Sequence, residues 1–78
     1  MSLKQEVIAL ICKTLDVSEE ELKETEKLSV SIGVDSTEMV ELTVALGKQF
    51  GVKFEPNEIT KDSTPLEIVS KIEAKRQG

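Results

Sequence analysis

The sequence predicts an all-α protein. The expected architecture is a small four-helix bundle with three principal helices, one short helix and a long first loop. Apolar residues recur at helical spacing in three separate segments. Each of those segments opens on a capping residue, Ser2, Asp35 or Thr64. No pair of alternating apolar and polar runs flanks a tight turn, so nothing reads as a strand pair. With 78 residues, one domain spanning 1–78 is expected. A domain of this size buries only about 60% of the surface its unfolded chain exposes. Aromatic residues are 3% of the chain, so Leu, Ile and Val must carry the packing.

The first helix is expected over Ser2 to Leu15. Leu3, Val7, Leu10, Ile11 and Leu15 make its stripe, with Ile8 and Cys12 alongside. From Asp16 to Val34 the periodicity fades. Ser18 and Glu21 have capping-box spacing and predict a turn ending near Leu22. A connection this long must pack across the domain, through Val17, Leu22, Leu28, Val30 and Ile32. Gly33 is placed to turn the chain with a positive φ.

The second principal helix opens at Asp35 or Ser36, with Asp35 and Glu38 spaced as a capping box, and ends at Gly51. Val40, Leu42, Leu46 and Phe50 read as its core face, and Met39 and Val44 as a second, less buried face, with Met39 equally readable as core filler or as a partner contact. Val52 to Phe54 reads as an extended connector before Pro56. Asn57 is expected to cap the short helix, through Ile59 and Thr60. Thr64 as cap, Pro65 at the first helical position and Glu67 at the third mark the last helix. Leu66, Val69 and Ile72 are its expected stripe, with Ile68 beside them and a frayed end from Ala74 to Gly78. Phe50 and Phe54 are expected core anchors.

The composition excludes several functions. The chain has no His, Trp or Tyr. A Ser nucleophile needs an activating base, and no His supplies one. Cys and His at metal-ligand spacing are absent as well. An enzyme is not expected, and no metal site. The single thiol, Cys12, cannot form an internal disulfide and reads as a small core hydrophobe. A net charge of −5 opposes nucleic-acid binding and suits partners that carry basic patches. No apolar run approaches the roughly 20 residues a membrane span needs. The start, Met1 to Lys4, lacks the apolar run of a leader. A cytoplasmic monomer without membrane contact is expected.

Ser36 is the informative residue. It stands where loop becomes helix, beside a helix N-terminus that favours a phosphate through its partial charge and unpaired N–H groups. The plainer reading is that Asp35-Ser36 merely caps the helix. The wider pattern decides between them. Gly33-Val34-Asp35-Ser36, then Met39-Val40-Glu41-Leu42, then Ala45-Leu46 and Phe50-Gly51-Val52, resembles the acyl carrier protein family. The resemblance extends over nearly the whole chain, through the opening amphipathic helix, the long acidic connection and the Thr64-Pro65-Leu66 helix start.

The resemblance implies that Ser36 receives a 4'-phosphopantetheine arm from coenzyme A through a phosphopantetheinyl transferase. The arm's thiol then carries acyl groups as thioesters for fatty-acid, lipid or polyketide-type synthesis. Asp35 matches the acid used in recognition by the transferase. Glu38 and Glu41 match acidic positions that meet basic patches on acyl-transferring and synthase enzymes. Thr37 falls on the same partner-facing surface, and Met39 and Val44 join it from the less buried face. Val40, Leu46 and Ile59 match positions near a cleft that shelters a fatty chain, which is expected to be loosely packed.

The chain departs from the family pattern in places. Thr37 stands where the family usually has Leu. Lys48 and Lys53 interrupt acidity that fatty-acid carriers keep. Residues 35–62 hold six acids and three lysines, a net of −3, whereas residues 16–26 hold six acids and one lysine, a net of −5. A specialised carrier is expected more than the general fatty-acid one. Two alternatives stand beside it: a peptidyl or aminoacyl carrier, and a non-carrier helical protein-interaction module. A helix-turn-helix DNA binder is opposed by the acidity.

Overall fold

Ser2 opens the first helix by the mechanism its position suggests. Its hydroxyl accepts the Gln5 N–H at 3.2 Å, and the Gln5 side chain accepts the Ser2 N–H at 3.3 Å. Two donors that helix geometry would orphan are thereby paired. In the computed structural model, which describes residues 2–55 and 57–77, this helix is α1 (Leu3–Leu15). It is followed by α2 (Leu28–Ser31), α3 (Ser36–Phe50) and α4 (Pro65–Gln77), and no strand occurs among the described residues. Asp16 ends α1 in the left-handed region, φ 56°. Asp is among the few residues that visit this region at modest cost.

Helix α1 is the centre of the fold and packs against both α3 and α4. Val7 and Ile11 from α1, Leu28 from α2, Leu42 and Leu46 from α3, and Ile68 and Ile72 from α4 are wholly buried. On α4, Pro65, Ile68, Val69 and Ile72 are buried, which is the i, i+3, i+4, i+7 face of a helix. Leu66 falls off that face and is 37% exposed, against expectation. The Thr64 hydroxyl accepts the Glu67 N–H at 3.1 Å, the cap the sequence announces. Helix α4 does not fray at Ala74; it continues to Gln77, and Gly78 lies outside the described residues. Phe50 and Phe54 are half-buried against the core rather than anchors within it.

The short helix lies in a different place from the expected one. It is α2, within the first connection, and not the stretch from Asn57 to Thr60. The Leu28 and Ser29 N–H groups donate to the Ser63 and Lys61 carbonyls at 3.0 and 2.9 Å, so the loop before α4 caps α2 from a distance. Leu28 then plugs the core. At the expected place Asn57 has φ 65°, which a right-handed helix cannot continue through. The connector meets Pro56 outside the described residues. Around Ser18 the turn forms as expected, with the Glu21 N–H on the Ser18 carbonyl at 3.1 Å. Leu22 carries that segment into the core, whereas Val30 is 66% exposed and does not pack. Ties from α4 and α1 fix Glu24: its carbonyl accepts the Leu66 N–H at 3.3 Å, and its carboxylate meets Lys4 at 2.8 Å.

Candidate functional site

The approach to α3 is built from Gly33 and Val34. Gly33 turns the chain at φ 64° and Val34 is buried. Val34 and Met39 occupy the two positions of a hydrophobic staple and lie in one core cluster. Asp35 follows in extended conformation and does all the capping. Its carboxylate accepts the Glu38 N–H at 2.8 Å, and the Glu38 carboxylate accepts the Asp35 N–H at 3.1 Å. Its carbonyl takes the Met39 N–H at 3.0 Å.

Ser36 is therefore the first helical residue and not the cap. It is exposed, and its hydroxyl has no hydrogen-bond partner among the described residues. The reading in which Asp35-Ser36 only caps a helix explains Asp35. It gives the neighbouring hydroxyl no task.

The α3 surface splits into faces. Met39, Leu42 and Leu46 form the core face, so of its two expected roles Met39 takes that of core filler. Val40, expected in the core, is 65% exposed, and Val44 is 52% exposed. Met39 and Val40 are adjacent and both apolar, so the local pattern alone could not choose which turns inward. The packing of α1 against α3 chooses. Ser36, Val40 and Val44 recur at four-residue spacing and stand one above another on the helix surface. A helix that leaves two valines in solvent below a free serine is spending apolar surface on something other than its own core.

Beside that stripe lies an open depression of about 510 Å³. Its near wall is Ser36, Met39, Val40, Thr43 and Val44, and its far wall includes Phe54, Asn57 and Ile59. The volume lies within the roughly 300–1,000 Å³ of ordinary small-molecule sites. Of the three expected cleft residues it brings Val40 and Ile59 together. Leu46 is sealed in the core and is not on the walls. Thr43 and Phe54 were not anticipated. The Thr43 hydroxyl is satisfied by the Met39 carbonyl at 2.7 Å. Its place one turn beyond Met39 and Val40 was the available signal.

The expected partner-facing residues divide similarly. Thr37, Glu41 and Val44 are exposed, the Glu38 carboxylate is committed to the Asp35 N–H, and Met39 is buried. Away from this surface, burial pushes the Cys12 thiol up from its ordinary range, with the Glu19 and Glu21 carboxylates adding to it. A thiol in that state is a poor nucleophile.

An exposed unpartnered oxygen at the head of a 15-residue helix suits a phosphodiester linkage, and the depression beside it suits an apolar cargo. The family described as "Phosphopantetheine attachment site" matches residues 5–72. The chain is 38% identical to an acyl carrier protein of Thermotoga maritima, over 88% of this chain and 85% of the relative. It is 30% identical to one from Wolinella succinogenes, over 97% of this chain and the whole relative. A third, from a Sulfurovum species, is 30% identical over 94% of this chain and 97% of its own. The chain belongs to the acyl carrier protein family.

Phosphopantetheine is the prosthetic group of acyl carrier proteins, and the residues at the head of α3 fit it. The family match runs along most of this acyl carrier protein, from the first helix to Ile72. No helix among the described residues is long and apolar enough to cross a membrane.

Proposed function

We propose that Ser36 Oγ is where a phosphopantetheinyl transferase attaches the arm, and that the chain acts as a carrier and not as a catalyst. The observation that carries this is the division of labour at the start of α3. Asp35 satisfies the orphan donors, and Ser36 is left free and exposed. The arm supplies a terminal thiol on which an acyl group is held as a thioester. The chain's own residues do the rest. The helix N-terminus favours the phosphate beside Ser36. Val40, Val44 and Ile59 offer an apolar wall to the cargo. Thr37 and Glu41 face outward for transferase and synthase enzymes with basic patches, and Asp35 remains beside the attachment point. Covalent tethering raises the effective concentration of the cargo at each partner. No His is available to activate Ser36, which suits an acceptor of modification.

The exposed Lys48 and Lys53 dilute the acidity of the α3 end, which supports a specialised partner set. A single cytoplasmic domain acting alone completes the proposal. The test is intact mass after co-expression with a transferase. The protein should gain one phosphopantetheine, and Ser36→Ala should gain none. A gain that survives Ser36→Ala, or no gain in the wild type, would refute the attachment point. Thioesters trapped on the loaded protein and identified by mass would separate fatty, polyketide and aminoacyl cargo.

A further inference from the structure

The far wall of the depression has no regular structure of its own. None of the described residues of the segment, Phe54, Glu55, Asn57 and Ile59 among them, lies in a helix or strand, so their backbone is not held in place by a ladder. Inside the segment, the Glu58 N–H donates to the Glu55 carbonyl at 3.0 Å and the Glu55 N–H to the Glu58 carboxylate at 2.9 Å. These bonds shape a turn. Ile59 anchors its later end in the core, and the polar attachment of the turn itself comes from α4. Lys71 donates its ammonium to the Glu58 carbonyl. Lys75 pairs with the Glu58 carboxylate at 3.0 Å and also lies 5.3 Å from the centre of the Phe54 ring. Lys71 and Lys75 are four apart and share a face of α4. The Lys75 and Glu58 side chains are 24% and 23% exposed, less than the Lys4–Glu24 pair at 46% and 39%. Shielded pairs are weakened less by water and salt.

We propose that Lys75, assisted by Lys71, is a positioning residue that clamps the Phe54–Ile59 segment onto α4 and so fixes how wide the depression beside Ser36 stands. The clamp rests on the reading of that depression as the cargo shelter only for its consequence; its existence does not depend on the arm. One ammonium holds both a carboxylate and an aromatic ring, so it fixes the segment at two points, Glu58 and Phe54. Glu58 serves from the opposite side, offering its carboxylate to Lys75 and its carbonyl to Lys71.

Amide hydrogen exchange on the unmodified protein tests the clamp without any arm. Lys75→Ala should raise exchange at the amides of residues 54, 55 and 57–59 by roughly fivefold, the combined size of a shielded ion pair and a cation–π contact, while α1 and α3 stay as in the wild type. Glu58→Gln keeps the shape, removes the charge, and should loosen the same amides. Lys75→Arg should restore protection, since guanidinium supplies both contacts. A wild-type rate at those amides in Lys75→Ala, or an equal rise across every helix, would overturn the clamp. The consequence is read separately, on protein loaded with an octanoyl-phosphopantetheine arm. Thioester hydrolysis should quicken in Lys75→Ala and return to the wild-type rate in Lys75→Arg. Equal hydrolysis rates in all three, with localised loosening intact, would refute the cargo consequence and leave the clamp. Failure to load at Ser36 would refute the carrier reading instead.

Discussion

Two long connections without long helices cross this molecule, and they do opposite things. Residues 16–27 carry the densest acidic charge yet fold onto the core, sending in Leu22 and leading to the fully buried Leu28. Residues 51–64 carry more large apolar groups but stand off from α3, and between them lies the depression at Ser36. No residue of 16–27 lines that depression. The first connection is pinned towards its later end, by Lys4 and Leu66 on Glu24, and the α2 that follows it is capped by the carbonyls of Ser63 and Lys61 from the second connection. The second buries Ile59, gives those two carbonyls to α2, and is held near its middle by two lysines of α4. Both connections thus combine backbone bonds, a buried side chain and side-chain charge; the difference is that the second alone walls the depression, and its middle is tied there by lysine side chains. Charge density on a loop says little about whether the loop packs, since the more acidic of the two sends Leu22 into the core and lines no part of the depression.

Leu22 and Ile59 give the sharpest test of that contrast, because each is 6% exposed and each would lose a similar side chain to Ala. Leu22→Ala, on the closed side, should cost about 3 kcal/mol by urea denaturation. Ile59→Ala should cost about 2 kcal/mol, since part of the space it vacates opens into the depression. The reverse order would break the comparison. Gly51 sets where the second connection leaves α3, at φ 65° with open space around its missing side chain. Gly51→Ala should therefore cost only the left-handed backbone penalty, about 1 kcal/mol. A loss as large as that of Leu22→Ala would mean the second connection packs as tightly as the first.

The smallest effect is one of pH. The Glu58 carboxyl is held below its usual range, first by the Glu55 N–H and then by Lys75. A carboxyl lowered in the folded state contributes stability that is present above its unfolded pKa, about 4.3, and fades as the pH falls through the folded value. NMR signals of Phe54 and Ile59 should accordingly shift on acidification below about pH 4.3, and Glu58→Gln should abolish the part due to this carboxyl. Signals of Leu22 serve as the control from the closed side. Their moving in step with Phe54 would show global acid unfolding instead of a local release.

Much of the fold could be read along the chain because local chemistry fixes it locally. The Ser2, Asp35 and Thr64 caps bond within three residues, and Gly33 and Gly51 take the positive φ their positions require. Those contacts need no knowledge of the rest of the molecule. The readings that failed concern which apolar residue turns inward. Val40 turned outward and left the core to Met39, and Leu66 gave way to Ile68. In both cases neighbouring residues of similar hydropathy compete, and the partner across the core decides; the short helix formed at Leu28 because the loop before α4 caps it there.

The candidate site divides along the same line. Ser36 and Asp35 are legible because a capping box and a helix start are short-range patterns. The depression is legible only through the family resemblance, which implied Val40 and Ile59, since its walls come from α3 and from a segment well beyond it along the chain. Sequence alone determined where α1 and α3 begin and end, where α4 begins, which hydroxyl stands at the head of α3, and that no His is there to activate it. Tertiary structure decided that this hydroxyl stays free, that Val40 and Val44 face outward beneath it, and that α4 holds the opposite wall. Capping energies act over one helical turn, whereas burial depends on surfaces that meet only when the chain has folded.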